Sequence, residues 1–364
     1  EETAARARQL DGAMRPPTEP PANVARLAVL LSVPAAWGTF GPAVKLAYLA
    51  APVPLPTLLF SAVQYVVAAL ALASAAAVVG ERETPLLEGG SSASARLPWQ
   101  AGLELGGYLF VGNLLQLAGL ASVPADRGAF LVQTTTLIVP LMQALTQGGL
   151  GSVAARTWAA CVIAFAGVLL MSSTNAEQGS ALPLAVSIGA GDVLVLASAL
   201  LYSAHVIRLA VIAPQMTALR LASAKAFSEL SLALLALGLL SLLPTLPAAQ
   251  ETRAFVEALP SMDRGAALTL LGSAAWCGAV TCAYTIWAQS FGQGSGMSAT
   301  NANLVYTSQP LWSAGFAWLL LSEVPTANEV VGGIAIAGAL FLAVTGAEEA
   351  SASPEPDAAS TKEA

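Results

Sequence analysis

Long apolar runs dominate the chain, separated by short stretches rich in Gly, Pro and polar residues. A membrane-spanning helix needs about 20 mostly apolar residues. The runs are continuous and rich in Ala and Leu, which favours helices over the alternating strands of a barrel. The pattern therefore predicts an all-α integral membrane protein with ten transmembrane helices, at residues 27–50, 57–80, 101–121, 127–147, 157–173, 192–213, 218–244, 265–290, 297–321 and 329–346.

Composition agrees with a protein surrounded by membrane lipid. Of the 364 residues, 56% are hydrophobic and 10% are charged, which is too little polar surface to cover a soluble globule. The tails 1–26 and 347–364 are rich in Ala, Pro, Ser and acidic residues, and we expect them to be disordered. They carry much of the net charge of −7, so nucleic-acid binding has no support.

One pattern occurs twice, at residues 130–171 and 300–342. Each copy has a polar-bearing apolar run, a proline (Pro140 or Pro310), a second apolar run and an Ala-Gly-containing helix. The duplication predicts two five-helix repeats, 27–173 and 192–346, joined by a linker at 174–191. Because five is an odd number, the second repeat enters the membrane from the opposite side, which makes the repeat inverted.

The distribution of basic residues predicts the orientation of the chain. In loops and helix ends, Lys and Arg number ten on the side of the N-terminus and three on the other, with Lys45 and Lys225 set aside as lying within spans. The positive-inside rule then puts both termini in the cytosol or the equivalent compartment of an organelle. The choice between plasma and organelle membrane stays open, as does whether the N-terminus is native.

Signatures of soluble enzymes and of cofactor sites are missing from the sequence. The chain has one His and no phosphate-binding GxxxxGK[ST] motif. Its three cysteines fall inside predicted helices without metal-type spacing. We therefore expect no cofactor, no metal and no enzymatic activity, although an intramembrane enzyme with His205 or Glu229 as acid or base is a third alternative.

Several stretches resemble the EamA-type transporters of the drug/metabolite transporter superfamily. WGTFGPAVKLA at 37–47, before a proline cluster, is similar to the opening helix of that family, and GDVLVLASALLYSAHVIRLA at 191–210 to the start of its second repeat. The two proline-containing stretches resemble the fourth and fifth helices of each repeat. The resemblance covers roughly residues 27–346. It departs from the family pattern at 151–153, where Gly-Ser-Val stands in place of the acidic residue seen at Glu323.

The resemblance implies a ten-helix bundle with a central cavity between the repeats, which moves small organic solutes by alternating access. It names no single substrate. Amino acids, nucleotide-related metabolites and other small molecules all occur across the superfamily.

Ionisable residues inside a span usually face protein or water, so they indicate where a pathway runs. Lys225 and Glu229 are four residues apart, on one face of the seventh segment and near mid-membrane. They either bind solute, exchange a proton or gate the pathway, or form a locked ion pair with a structural role. Tyr202, His205 and Arg208 add a polar stripe on the sixth segment, where interhelical hydrogen bonding and snorkelling of Arg208 are the structural alternatives.

Further candidates for solute binding lie on the segments that carry the resemblance. Lys45 and Trp37 share the first segment, where interfacial anchoring is the alternative for each. Gln133 and Asn303 each stand seven residues before a repeat-related proline, and Tyr306 lies one turn beyond Asn303. Amides at equivalent places in both halves suit a polar solute, whereas ordinary interhelical hydrogen bonding is the structural alternative.

Pro140 and Pro310 interrupt helical hydrogen bonding and are candidate hinges, with a static kink as the alternative. Together these features predict a secondary transporter for a small organic metabolite. The basic candidates Lys45, Lys225 and Arg208 favour a solute with a carboxylate or phosphate. Alternatives are a sugar-phosphate or nucleotide-sugar antiporter of the same fold, or a non-transporting membrane scaffold. A homodimer, the coupling ion and the direction of transport stay open.

Overall fold

The computed structural model describes residues 22–79, 98–120, 131–146, 149–172, 189–294, 296–321 and 325–352. Within these ranges the regular structure is helical, and no strand is present. The prediction of an all-α chain is thereby confirmed. Most of both predicted tails, most of the linker 174–191 and Glu323 lie outside the described residues.

The α-helices of the described ranges are numbered here in chain order. They are α1 Ala22–Gly38, α2 Phe40–Ala50, α3 Thr57–Val79, α4 Pro98–Leu120, α5 Thr135–Thr146, α6 Ala155–Ser172, α7 Ala190–Ile212, α8 Ala218–Ser241, α9 Pro247–Ala258, α10 Arg264–Trp276, α11 Thr285–Gln293, α12 Ala299–Tyr306, α13 Gln309–Leu321 and α14 Ala327–Ala352. A π-helical stretch, Cys277–Tyr284, joins α10 to α11.

Helix is found at each of the ten predicted segments. Five continuous or nearly continuous stretches are long and apolar enough to cross a membrane: Val24–Ala50, Thr57–Val79, Ala190–Gln215, Ala218–Ser241 and Arg264–Gln293. Shorter apolar helices cover Leu131–Thr146, Ala155–Leu170 and Ala327–Leu342. The bundle also exposes large apolar side chains, such as Leu49 at 76% and Phe341 at 72%. An apolar exterior of this kind is compatible with a membrane protein.

The first segment is broken between α1 and α2 at Thr39. Pro42 explains the break, since it has no N–H for the carbonyl four residues earlier and its ring crowds that carbonyl. The Thr39 hydroxyl instead donates to the Ala36 carbonyl at 2.7 Å and accepts from Trp276 Nε1 at 2.8 Å. A Cβ on the neighbouring Gly38 would lie 2.7 Å from Trp312 Cβ, so glycine allows α1 and α13 to touch here.

The two repeat-related prolines occupy different helical environments. Pro140 lies in the middle of α5. Pro310 is the second residue of α13, just after the chain leaves helix at Thr307 and Ser308. A proline in the first turn of a helix costs no internal hydrogen bond. Of the two prolines, Pro140 alone lies in the interior of a helix, because the helix at Pro310 is interrupted before it reaches the proline. A hinge or a kink at either position stays a prediction.

The most extensive packing brings helices of the two sequence halves together. α6 packs against α14, α4 against α7 and α8, and α3 against α8 and the π-helical stretch. α2 packs against α10, α1 against α11 and α13, and α5 against α7 and α12. Glycines bring α4 close to α8, because a Cβ on Gly102 would lie 2.5 Å from the Ala224 carbonyl oxygen. Small residues at such a contact allow two helices to approach closely.

Candidate functional site

A cavity of about 310 Å³ lies at the centre of the bundle. Residues from both sequence halves line it, contributed by α1, α3, α4, α5, α7, α8, α11 and α12 among others. Its volume is at the lower end of the roughly 300–1,000 Å³ typical of small-molecule sites. The cavity is therefore suited to a compact solute.

Side-chain amides and aromatic rings dominate the lining. The amides are Gln64, Asn113, Gln116, Gln133, Gln289, Asn303 and Gln309, and the aromatic residues are Trp37, Phe40, Tyr65, Tyr202 and Tyr306. Thr135, Thr281, Thr285 and Cys282 add small polar groups. This combination of apolar surface with placed donors and acceptors is typical of a binding site for a small organic molecule.

Hydrogen bonds between helices hold part of this lining in place. The Tyr202 hydroxyl donates to Gln116 Oε1 at 2.8 Å, which ties α7 to α4. Asn113 Nδ2 donates to the Tyr65 hydroxyl at 3.3 Å, which ties α4 to α3. The ring of Trp37 meets that of Tyr306 edge-on at 5.3 Å. Aromatic rings held in this way present fixed surfaces to the cavity.

The π-helical stretch and the start of α11 bring polar groups to the cavity wall. It packs tightly on α3, because a Cβ on Gly278 would lie 2.6 Å from the Gln64 carbonyl oxygen. The Thr281 hydroxyl donates to the Cys277 carbonyl at 2.8 Å, and the Thr285 hydroxyl to the Thr281 carbonyl at 2.7 Å. π-helical turns are rare and frequently occur at functional sites.

Glu229 supplies the carboxylate of the described lining, which contains no Lys or Arg. Its side chain is 2% exposed, and its Oε2 accepts a contact from Cys282 Sγ at 3.8 Å. Lys225 lies one turn earlier on α8, fully buried, but is not part of the lining. Lys225 Nζ has no hydrogen-bond partner among the described residues. The locked Lys225–Glu229 pair considered from sequence is therefore not formed by direct hydrogen bonding here.

His205 lines the cavity from α7 and is 1% exposed. Its Nε2 has no hydrogen-bond partner in the described part of the chain. A buried ring nitrogen without a partner costs free energy unless something binds it. The nitrogen is therefore available to a bound molecule.

Seven of the ten sequence-predicted residues line this cavity: Trp37, Gln133, Tyr202, His205, Glu229, Asn303 and Tyr306. Two lie elsewhere, since Lys225 is buried behind the wall and Arg208 forms an ion pair with Glu104 of α4. The Lys45 side chain lies outside the described residues. The structure thus brings most of the candidates to one cavity, and their role in binding a solute stays a prediction.

Several lining residues were missed from the sequence, above all Gln64, Tyr65, Asn113, Gln116 and Gln289. A usable signal was present, because a polar amide inside a long apolar run seldom faces lipid. Gln64 stands in a continuous apolar helix, α3, and Asn113 and Gln116 are one turn apart on α4. The sequence did not show which side of each helix faces the centre.

An apolar cluster borders the cavity toward the end of the bundle where α1 begins, and Val206 and Tyr306 belong to both. It contains Leu30, Val33, Val139, Val206, Ala288, Ala299, Ala302, Val305 and Tyr306, all buried. A Cβ on Gly292 would lie 2.6 Å from Leu30 Cδ1, so α1 and α11 are in close contact. At the same end, Gln293 Nε2 donates to the Tyr306 hydroxyl at 3.0 Å. We refer to this cluster as the N-side seal.

Polar contacts connect α5 to the stretch that begins with α12. Gln143 Oε1 accepts from the Thr300 backbone N–H and hydroxyl. Asn303 Nδ2 donates to the Thr135 carbonyl at 3.0 Å. The hydroxyls of Thr136 and Thr307 are 3.0 Å apart. These bonds link corresponding segments of the two sequence halves next to the cavity.

The fold and this site define an α-helical protein with an apolar exterior and a polar central cavity. No protein-family model matches the chain, and no curated protein matches it. Chains of solved structures do match, and one of them, titled "Crystal structure of protein", superposes with a TM-score of 0.64. That match covers 89% of this chain and 98% of the other, at 14% sequence identity. At that identity the likeness shows a shared fold.

Proposed function

We propose that the chain is a secondary transporter, which moves a small organic solute across a membrane by alternating access. The observation that carries this proposal is the polar cavity at the centre of an apolar-surfaced bundle, lined by both sequence halves. In transporters built from repeats, the solute site lies near mid-membrane at the repeat interface. The sequence resemblance to EamA-type transporters leads to the same proposal.

The pattern of helix packing supports the proposed inverted repeat. In this repeat, predicted segments one to five correspond in order to segments six to ten. The packing of α4 on α7, which are segments three and six, then corresponds to the packing of segment eight (α10 and α11) on segment one (α1 and α2). In the same way, the packing of α4 on α8 corresponds to that of the π-helical stretch on α3. The packing of α5 on α7 corresponds to that of α12 and α13 on α1. Three further contacts each join two corresponding segments, so the exchange leaves them unchanged: α3 with α8, α5 with α12 and α6 with α14. The packing of α8 on α11 has no counterpart of similar extent among the described residues.

In the proposed cycle, the N-side seal opens while the opposite side closes. Turns at Thr39, Thr134 and Thr307–Ser308 give the segments next to the cavity places to bend, because the regular α-helix is interrupted there by tighter hydrogen-bonded turns. The ten-span topology and the cytosolic position of both termini are part of this proposal. They depend on the ten helical segments and on the asymmetry of basic residues.

Thermal stability provides a first test with the purified full chain. A solute that binds the folded state raises the apparent melting temperature. The panel contains amino acids, organic acids, sugar phosphates, nucleotides, nucleobases and amines. Any stabilising compound is then tested for counterflow, in which vesicles preloaded with unlabelled solute take up the radiolabelled form.

A matched pair of variants makes this test specific to the cavity. Gln133→Leu removes an amide of the lining, whereas Gln250→Leu removes an exposed amide on α9. The proposal expects counterflow to fall at least tenfold in the first variant and to be unchanged in the second. Stabilisation by sugar phosphates together with phosphate exchange would favour the antiporter. Folded protein that neither responds to any compound nor mediates counterflow would favour the scaffold.

A further inference from the structure

We infer that the cavity takes a compact, flat solute without net negative charge, bound by ring stacking and by hydrogen bonds to its edge. An amino-substituted nitrogen heterocycle, neutral or singly positive, is the chemical class that fits. This inference rests on the proposed function for its biological meaning. It concerns binding, which is measured without transport.

The charge of the lining sets the sign of the preferred solute. Glu229 contributes a carboxylate, and no Lys or Arg belongs to the described lining. Lys225 is one turn away on the same helix, but it is fully buried and absent from the wall. An anion in the cavity therefore meets Glu229 directly and the ammonium group only at longer range. In surroundings of low polarity, charges a few ångströms apart alter affinity by orders of magnitude.

The sequence-based preference for an anionic solute depended on three basic residues reaching the cavity. Arg208 is instead paired with Glu104, and Lys225 lies behind the wall. The Lys45 side chain is outside the described residues. Carboxylates and phosphates are commonly bound by charge-assisted hydrogen bonds from Arg or Lys. The described lining offers none of these donors, so the geometry favours the opposite sign.

Aromatic side chains make the cavity suitable for a flat molecule. Trp37 and Tyr306 form an edge-on pair on one side, and hydrogen bonds with α4 hold Tyr65 and Tyr202. Aromatic rings favour stacked or edge-on contacts with another ring. The volume of about 310 Å³ accommodates one or two fused rings rather than an extended chain.

Polar side chains that have no hydrogen-bond partner within the described residues can bind the edge of such a solute. Gln64, Gln133 and Gln309 line the cavity and make no side-chain hydrogen bond within the described ranges. Each amide can donate and accept, as ring nitrogens and exocyclic amino groups do. His205 Nε2 is an independent indication, because it is buried and unpartnered in the described part of the chain.

Cys282 gives a direct way to measure the charge preference. Its thiol lines the cavity beside Glu229, whereas Cys161 and Cys277 are fully buried. In a Cys161→Ala and Cys277→Ala background, two methanethiosulfonate reagents of similar size are compared, one ending in ammonium and the other in sulfonate. The thiolate attacks the reagent to form a mixed disulfide, and methanesulfinate leaves. Rates are normalised to those of free mercaptoethanol.

We expect Cys282 to react at least tenfold faster with the cationic reagent, and the ratio to approach one in Glu229→Gln. A chain whose single cysteine is introduced by Ser261→Cys, at an exposed position outside the cavity, serves as the control and should show little preference. Equal or faster labelling by the anionic reagent would overturn the inference. So would a lack of labelling by both reagents, because the thiol would then not face an accessible cavity.

Protection by three isosteric solutes tests shape and charge without a change at Glu229. Benzamidine, benzamide and benzoate are flat and nearly equal in size, with charges of plus one, zero and minus one. Benzamidine and benzamide should slow labelling of Cys282, whereas benzoate should not. Protection by benzoate as strong as that by benzamidine would contradict the inference. Protection as expected, combined with no counterflow of any solute, would refute the transporter proposal and leave the binding preference standing.

Discussion

Gln143 Oε1 accepts two hydrogen bonds from Thr300, one from the backbone N–H at 3.0 Å and one from the hydroxyl at 2.9 Å. Both residues are buried, and they join α5 to the start of α12. One side-chain oxygen thereby satisfies a backbone donor at the helix N-terminus, where no intrahelical partner exists. The contact connects the two sequence halves beside the N-side seal, which contains Val139 and Ala299.

Replacing Gln143 by Leu should therefore destabilise the fold. The Thr300 N–H and hydroxyl would be left buried without an acceptor, which costs about 1–3 kcal/mol. Thermal unfolding in detergent measures the loss. Thr146→Val is the control, because it removes an exposed hydroxyl bond on the same helix and should change the stability by no more than about 0.5 kcal/mol. Equal effects of the two variants would show that the Gln143 bonds do not form.

Replacing two glycines of α4 by alanine should change the stability of the protein in opposite directions. A Cβ at Gly102 would lie 2.5 Å from the Ala224 carbonyl oxygen, while one at Gly107 has nothing within 4 Å. Gly102→Ala should thus separate α4 from α8 and cost about 1–3 kcal/mol. Gly107→Ala should be neutral or stabilise by up to about 1 kcal/mol, through helix propensity and a less flexible unfolded chain. Melting temperatures of both variants, measured under the same conditions, test this prediction.

The Arg208–Glu104 ion pair should have a minor effect on stability and none on solute binding. The side chains are 30% and 22% exposed, and pairs accessible to solvent contribute about 0.2–1 kcal/mol. A double-mutant cycle with Arg208→Gln and Glu104→Gln measures the coupling energy. Protection of Cys282 by benzamidine should be unchanged in Arg208→Gln. A large loss of protection would place Arg208 in the cavity, as the sequence suggested.

Lys225→Met should keep or raise stability. Lys225 is fully buried, and its Nζ has no hydrogen-bond partner within the described residues, so the ammonium group carries a desolvation cost without direct compensation. Methionine of similar length removes that cost, which offsets the lost attraction to Glu229 one turn away. Chemical or thermal unfolding of the variant tests this. A loss above about 1 kcal/mol would show that Lys225 compensates Glu229 in the protein in solution.

The same variant distinguishes two readings of the ion pair considered from sequence. If Lys225 and Glu229 act as a unit, Lys225→Met and Glu229→Gln will have non-additive effects on stability. If Glu229 acts toward the cavity alone, the two effects will add within about 0.5 kcal/mol. Both charges are buried one turn apart on α8, so a coupling energy above about 0.5 kcal/mol is expected even though no hydrogen bond joins them.

Apolar run length predicted the helices well. Each predicted segment contains helix, because continuous Ala- and Leu-rich runs have few alternatives in a chain with so little charge. The sequence predicted the ends and interruptions of the helices less well. Pro42 interrupts the first segment and the chain leaves helix before Pro310, yet Pro140 stays within α5. A proline weakens a helix locally, but neighbouring helices decide whether the helix stops.

The sequence by itself determined the all-helical fold and the presence of polar groups in apolar surroundings, since both follow from local composition and spacing. It also pointed to Gln133, His205 and Asn303, which line the cavity. Tertiary structure alone decided that Glu229 faces the cavity while Lys225, on the same helical face, lies behind the wall. Residues four apart share a face to within about a ninth of a turn, and the position of adjacent helices then decides which one reaches an enclosed space.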